Sequence, residues 1–297
     1  MKLKLEEVSY MYEPGTPMEV TALYPLSLEV NSGEVLAIIG ATGSGKSTLI
    51  QLMNGLNKPT FGKVFCDGED ICGEKYDRRR LRGRVGLVFQ YPEYQLFEET
   101  VLKDVCFGPK NQGLSEEACI ERARTALRTV GLDESYEQRS PFDLSGGEKR
   151  RAAIAGVLAM EPEILILDEP TAGLDPEGRE ELLSELISLR REKGMGIVMV
   201  SHSMEDVALL AERILVLSHG KMIMQGPPRK IFEEEEQLSD AGLALPSVCR
   251  VLHLLKKKGL PVETDALSVE EAGKRILEAF AAPSRPSSGL PKKGEAE

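Results

Sequence analysis

One stretch constrains this chain more than any other: Gly40-Ala41-Thr42-Gly43-Ser44-Gly45-Lys46-Ser47. It fits G-x-x-x-x-G-K-[ST], a loop whose glycines let backbone N–H groups turn inward around phosphate oxygens. The apolar run 34–40 before it reads as a buried parallel strand ending at glycine, and a helix is predicted from about Lys46 to Met53. That helix aims its positive end at the same anion. Lys46 reaches the β- and γ-phosphates and the Ser47 hydroxyl ligates Mg²⁺, so the chain must be built on a parallel sheet that presents a nucleoside triphosphate site. The expected nucleotide contacts here are Gly40, Thr42, Gly43, Ser44, Gly45, Lys46, Ser47 and Thr48.

A second core strand, Ile164-Leu-Ile-Leu167, runs into Asp168-Glu169. Two carboxylates then sit at the carboxyl end of a strand, where ligands bind in open α/β sheets. Asp168 suits a Mg²⁺ held through water, and Glu169 suits a general base for an attacking water. A polar helix over about 177–192 and a third apolar strand, 196–200, follow. Strand, helix, strand in that order implies parallel pairing through crossover helices. Hairpins are predicted around Asp67-Gly68 and His219-Gly220, and a helix over 115–130 with Ser115 as its cap. From about 231 the chain reads as helical, and 281–297, rich in Pro, Ser, Gly and Lys, as a disordered tail.

Composition removes several classes. Thirty-seven Lys and Arg against 48 Asp and Glu give a net charge of −11, which argues against a sequence-independent nucleic-acid binder. The basic run Arg78–Arg84 reads as a solvated face or loop before a Val85–Phe89 strand. The longest apolar stretch, 152–160, falls well short of the roughly 18–20 residues needed to span a bilayer. The amino terminus lacks the apolar core of a leader. Five scattered cysteines without a C-x-x-C pair and three histidines imply neither disulfides nor a His-rich metal site, as in a reducing cytoplasm.

Leu144-Ser145-Gly146-Gly147-Glu148 opens a further helix. Ser145 reads as its cap, yet two glycines directly behind a cap are poor helix formers, unless a phosphate must approach closely. Two phosphate-binding helix ends in one chain serve one nucleotide only if two chains face each other. With this pentapeptide the chain resembles the ATP-binding cassette family over about residues 3–230. The fold that the resemblance implies is α/β: a P-loop NTPase nucleotide-binding domain with a parallel core, an antiparallel β subdomain and a helical subdomain at about 91–160. It implies ATP and Mg²⁺ as cofactors. Tyr12, with Tyr10 as the alternative, would stack on adenine; Gln90 would touch Mg²⁺ and the attacking water. Asp175 would contact the opposing site, His202 would sense the γ-phosphate, and Ser145, Gly146, Gly147 and Glu148 would grip ATP held by the other chain.

The segment Gln90-Tyr-Pro-Glu-Tyr-Gln-Leu-Phe97, Phe107-Gly-Pro-Lys110 and the insertion 12–17 narrow the resemblance to ATPases of energy-coupling factor (ECF) importers, in their second, A-prime type. This implies an ATP-hydrolysing subunit on the cytoplasmic face of the membrane, serving uptake of vitamins or other micronutrients. The partners implied are a second ATPase, identical or paralogous, a transmembrane coupling subunit, and indirectly a substrate-binding membrane subunit. Residues 231–280 would be a small helical extension for ATPase–ATPase contact. Tyr91, Tyr94 and Phe97, alternating with Glu93, Glu98 and Glu99, would form a groove for a basic helix of the coupling subunit. A cobalt or nickel importer differs only in substrate. A soluble cassette ATPase of DNA repair, chromosome structure or translation fits less well: a chromosome-structure type needs a long heptad segment between Lys46 and Asp168, and a translation type usually carries two cassettes and a basic RNA face, whereas this chain is single and acidic.

Overall fold

The strand that delivers the glycine-rich loop lies inside the larger of two sheets. In the computed structural model, which describes residues 1–281, the chain begins with β1 (Lys2–Tyr12) and β2 (Val20–Asn31). β3 (Val35–Ile39) leads through the loop into α1 (Lys46–Met53), and β4 (Phe61–Cys66) turns back into β5 (Glu69–Asp70). Asp67 and Gly68, with φ of 50° and 87°, make that turn, as the Asp-Gly pair predicts. Next come α2 (Arg78–Arg84), β6 (Val85–Val88), α3 (Val101–Asn111), α4 (Glu116–Thr129), α5 (Gly146–Leu158) and β7 (Ile164–Asp168). The chain continues through α6 (Pro176–Lys193), β8 (Gly196–Val200), α7 (Met204–Leu210) and the hairpin β9 (Arg213–Ser218) and β10 (Lys221–Gly226). The helices α8 (Pro228–Glu233), α9 (Glu235–Asp240), α10 (Ser247–Lys257) and α11 (Val269–Ala281) close it.

The larger sheet has the order β10-β9-β3-β8-β7-β6, parallel except for the edge strand β10. The smaller, β2-β1-β4-β5, is antiparallel throughout. Every residue of β3 is buried, because its two faces serve two cores. Val35, Ala37 and Ile39 pack with helices α3 to α9, whereas Leu36 and Ile38 pack with α1 and the antiparallel sheet. This two-sided burial is why the parallel strands read as continuous apolar runs rather than alternating ones.

Three features depart from the sequence reading. The arginine run forms helix α2, capped by Asp77, whose side chain accepts from Arg79 N at 2.9 Å. Its solvated face is real, but Leu81 is fully buried beneath it, and that anchor turns a loop into a helix. α3 lies inside the helical subdomain expected at about 91–160, though the sequence reading bounded no helix there. Thr100 caps it, but Gly108-Pro109 in its last turn hides the helical pattern. The boundary at 230 falls inside packed structure, since Phe232, Leu238, Leu245 and Cys249 join the main core. A separate small cluster of Leu252, Val262, Ala266 and Ala272 lies beyond. Ala281 ends α11, and the rest of the expected tail lies outside the described residues. Among the described residues no helix is long and apolar enough to cross a membrane.

Candidate active site

The loop after β3 is shaped by positions where only glycine fits. A Cβ on Gly40 would lie 2.3 Å from the Leu217 carbonyl oxygen, and one on Gly45 2.6 Å from that of Ala22. Gly43 and Gly45 also take left-handed φ values of 78° and 102°. Lys46 is buried, and its Nζ donates to the carbonyls of Gly40 at 2.8 Å and Ala41 at 3.0 Å. Burial pushes its pKa down, while the charges of Glu169 and Asp168 pull the other way. Ser47 Oγ donates to Asp168 Oδ2 at 3.3 Å, joining the start of α1 to the end of β7. Burial raises the Asp168 carboxyl above its ordinary range, the neighbouring Glu169 charge adds to this, and the Ser47 bond opposes it.

Strand order explains the next grouping. β6, β7 and β8 are neighbours, so their carboxyl ends bring Gln90, Glu169 and His202 together. Gln90 Nε2 donates to Glu169 Oε2 at 2.9 Å, and His202 Nε2 stands 3.0 Å from Glu169 Oε1. Glu169 itself has φ of 50°, left-handed for a side chain that disfavours it, and its N–H bonds to the Val200 carbonyl at 2.9 Å. A non-glycine residue pays for that conformation by about 1–2 kcal/mol. The turn after it is held by two guanidinium groups that the sequence reading passed over. Arg179 bonds Asp206 and Ser203, and Asp206 in turn accepts from Thr171 at 2.7 Å. Arg150, on the other side, reaches the carbonyls of Pro170 and Ala172. The available signal for Arg150 was an arginine pair, Arg150-Arg151, before an apolar helical run, whereas its acceptors were invisible.

Tyr12 ends β1 with its ring half exposed and its hydroxyl 3.0 Å from Thr48 Oγ1. Tyr10 packs edge-on against it, ring centroids 4.8 Å apart, and leans on the core between the sheets, so Tyr12 presents the freer face.

The other expected residues gather elsewhere. Ser145 caps α5 in a full capping box: its Oγ accepts from Glu148 N at 3.3 Å, and Glu148 accepts from Ser145 N at 2.7 Å. With Tyr136 also donating to it, the Glu148 carboxyl falls to about 2. Nothing lies within 4 Å of a Cβ built on Gly146 or Gly147, so that helix start is open. Ser145, Gly147 and Asp175 line one cleft of about 230 Å³ with Arg151 and Glu181. This second group is therefore distinct from the carboxylate site on β7.

The aromatic segment after Gln90 is exposed at Tyr91, Tyr94, Phe97 and Phe107, with Phe97 edge-on to Phe107 at 5.0 Å. Its acids are less free than their spacing suggested. Glu99 pairs with Lys103 at 2.6 Å, and Glu93 turns toward Arg150. Among the described residues no group of three or more His, Cys, Asp and Glu could hold a metal alone.

Residues 23–172 match the family model described as ABC transporter. The chain is 52% identical over 281 residues to the energy-coupling factor transporter ATP-binding protein EcfA2 of Clostridium tetani, covering 94% of this chain and 98% of that protein. The protein of the same name from Clostridium perfringens is 50% identical over 94% of this chain and 98% of its own length. Among solved structures, cbiO1 from Clostridium perfringens, part of the ABC transporter complex cbiONQ, superposes with a TM-score of 0.71 at 40% identity, over 86% of this chain and 98% of that one. The dimeric cassette MJ0796, bound to ADP and Pi, gives 0.68 at 31% identity over 76% and 98%. The chain belongs to the ABC transporter family and, within it, to the ATP-binding proteins of energy-coupling factor transporters.

Proposed function

We propose that Glu169 is the general base of ATP hydrolysis in this transporter ATPase, with Gln90 and His202 orienting it. The observation that carries this reading is one carboxylate held between a side-chain amide at 2.9 Å and an imidazole nitrogen at 3.0 Å, next to the Ser47–Asp168 pair. Lys46 and the loop N–H groups bind the β- and γ-phosphates, and Tyr12 stacks on adenine. Ser47, Asp168 and Gln90 offer hydroxyl, carboxylate and amide oxygens, which suit Mg²⁺ but need phosphate and water to complete its shell. Bound there with ATP, the ion neutralises charge on the β- and γ-phosphates. Ser145, Gly146, Gly147, Glu148 and Asp175 serve the nucleotide of a second ATPase subunit. The cleft lined by Ser145, Gly147 and Asp175, and the open space at Gly146 and Gly147, support that assignment.

The exposed aromatics after Gln90 receive a helix of a transmembrane coupling subunit. On this reading the chain works at the cytoplasmic face of the membrane and drives micronutrient uptake through a substrate-binding membrane subunit. The apolar residues exposed on the last two helices, Val251, Leu254, Leu277 and Phe280, support the extension as an ATPase–ATPase contact.

Glu169→Gln tests the central assignment. MgATP binding is retained and turnover falls about 10²–10⁴-fold, the range a positioned general base supplies. Near-normal turnover in that variant removes Glu169 from the role.

A further inference from the structure

Arg150 lies in α5, five residues after its cap, and is 5% exposed. Its guanidinium faces two separate stretches of chain. Nη1 donates to the carbonyls of Pro170, at 3.2 Å, and Ala172, both in the turn between Glu169 and Asp175. Nη2 donates to the Gln90 carbonyl at 3.5 Å. Nε stands 3.6 Å from Glu93 Oε2, a buried carboxylate oxygen with no hydrogen-bond partner. Glu93 belongs to the exposed aromatic segment, two residues after Tyr91.

We propose that Arg150 is a positioning residue that locks the Gln90–Glu93 segment to the turn following Glu169, so that the two move as one body with helix α5. The inference rests on the assignment of Glu169 and Gln90 made above. A displacement of the Glu93 side, where the aromatics meet a partner, must carry Arg150 with it or break its bonds. Through the Pro170 and Ala172 carbonyls the same displacement reaches Glu169 on one side and Asp175 on the other. The opposite flank of this turn is pinned by Thr171 to the fully buried Asp206. The turn therefore has one fixed anchor and one that follows α5.

The planar fork matters more than the charge. Three donors in one plane reach carbonyls from two segments, and an ammonium on a flexible stem cannot hold them all in register. Arg150→Lys thus retains a cation facing Glu93 while losing the bridge. Displacing catalytic groups by about 1 Å can cost about 10²-fold in rate.

The test uses the full chain in its assembled transporter, with Arg150→Lys, Arg150→Ala, Glu93→Gln and the Arg150→Lys/Glu93→Gln double variant. kcat and KM for ATP and thermal melting are measured for each. The expected result for Arg150→Lys is a kcat lower by about 10²-fold, with KM within about twofold of wild type. Glu93→Gln lowers kcat when Arg150 is present and adds nothing in the Arg150→Lys background, the non-additivity of a shared contact. Full kcat in Arg150→Lys overturns the proposal, as does a loss that tracks only the folded fraction. If Arg150 variants fail to assemble, an unchanged kcat in Glu93→Gln overturns it instead, and a lowered kcat at wild-type melting supports it. Glu169→Gln run in parallel separates the two levels. Turnover surviving there removes the underlying site assignment, whereas abolished turnover there with full activity in Arg150→Lys removes only the bridge.

Discussion

Gly45 and Glu169 adopt the same sign of φ for opposite reasons. Gly45, at 102°, has no room for a Cβ, since the Ala22 carbonyl would lie 2.6 Å away. Gly45→Ala must therefore shift the loop off its phosphate geometry, and nucleotide binding measured by equilibrium titration should be lost before stability is. Glu169, at 50°, carries a side chain where glycine would be more comfortable, in the one place where the carboxylate meets both Gln90 and His202. Strain at a working group is a common pattern. Replacing it separates strain from chemistry: Glu169→Gly and Glu169→Ala both lose the carboxylate, but the glycine variant should be more stable by about 1 kcal/mol in denaturant unfolding. Equal stability would mean that the left-handed backbone relaxes once the carboxylate is gone. How legible these residues were differs in the same way. The glycines declared themselves through spacing, whereas nothing in the run Ile164–Glu169 announces the backbone that Glu169 adopts.

At the scale of elements, α5 and α6 meet across the cleft that holds Ser145 and Asp175, with Arg151 paired to Glu181 at 3.0 Å. Next to that pair, burial pushes the Glu185 carboxyl up to about 7, with Glu181 adding to the rise and Arg151 opposing it. A carboxyl whose folded value exceeds its unfolded one stabilises the fold while protonated. That contribution is complete below the ordinary carboxyl value of 4.5 and is lost as pH rises through about 7. Glu185→Gln should therefore match wild type in acid and exceed it above neutral pH. The gain is on the order of 1 kcal/mol after allowance for the partial exposure of the site. Parallel melting curves at pH 5 and pH 8 that show no pH-dependent difference would exclude a buried titration there. The capping box of α5 gives a companion prediction: Ser145→Ala should cost about 1 kcal/mol of stability in the nucleotide-free chain. The caps of α4 and α5 could be read directly from Ser115 and Ser145, since a cap bonds within three residues. α3 and α2 could not, because one holds a proline and the other is helical only where Leu81 finds a core.

For the whole molecule, the proposed division between the loop site and the Ser145 cleft is tested as a dimer closed by ATP. If the proposed sandwich holds, Glu169→Gln should sediment as a dimer with MgATP and open with ADP, which has no γ-phosphate to bridge two surfaces. The same species in ATP, ADP and no nucleotide would instead place the association elsewhere. The exposed apolar residues of α10 and α11 are the alternative, and Leu277→Glu with Phe280→Glu separates the cases without disturbing Phe232 or Cys249 in the main core.

The sequence alone determined whatever is closed over a short stretch of chain. The glycine loop, its lysine returning to a carbonyl six residues away, the helix caps and the hairpin turns all rest on local φ values and nearby hydrogen bonds. The family was named from the resemblance carried by Gly40–Ser47, Asp168-Glu169 and Leu144–Glu148, which such local rules do not by themselves supply. Only the tertiary structure decided which of them meet. Gln90 and Glu169 are 79 residues apart and touch because β6 and β7 are neighbours, a fact of strand order rather than of pattern. Glu93 read as a free acid until the fold set Arg150 against it, 3.6 Å away. A side chain's type and spacing can be seen in the chain, but its partner across the core exists only once the strands have chosen their neighbours.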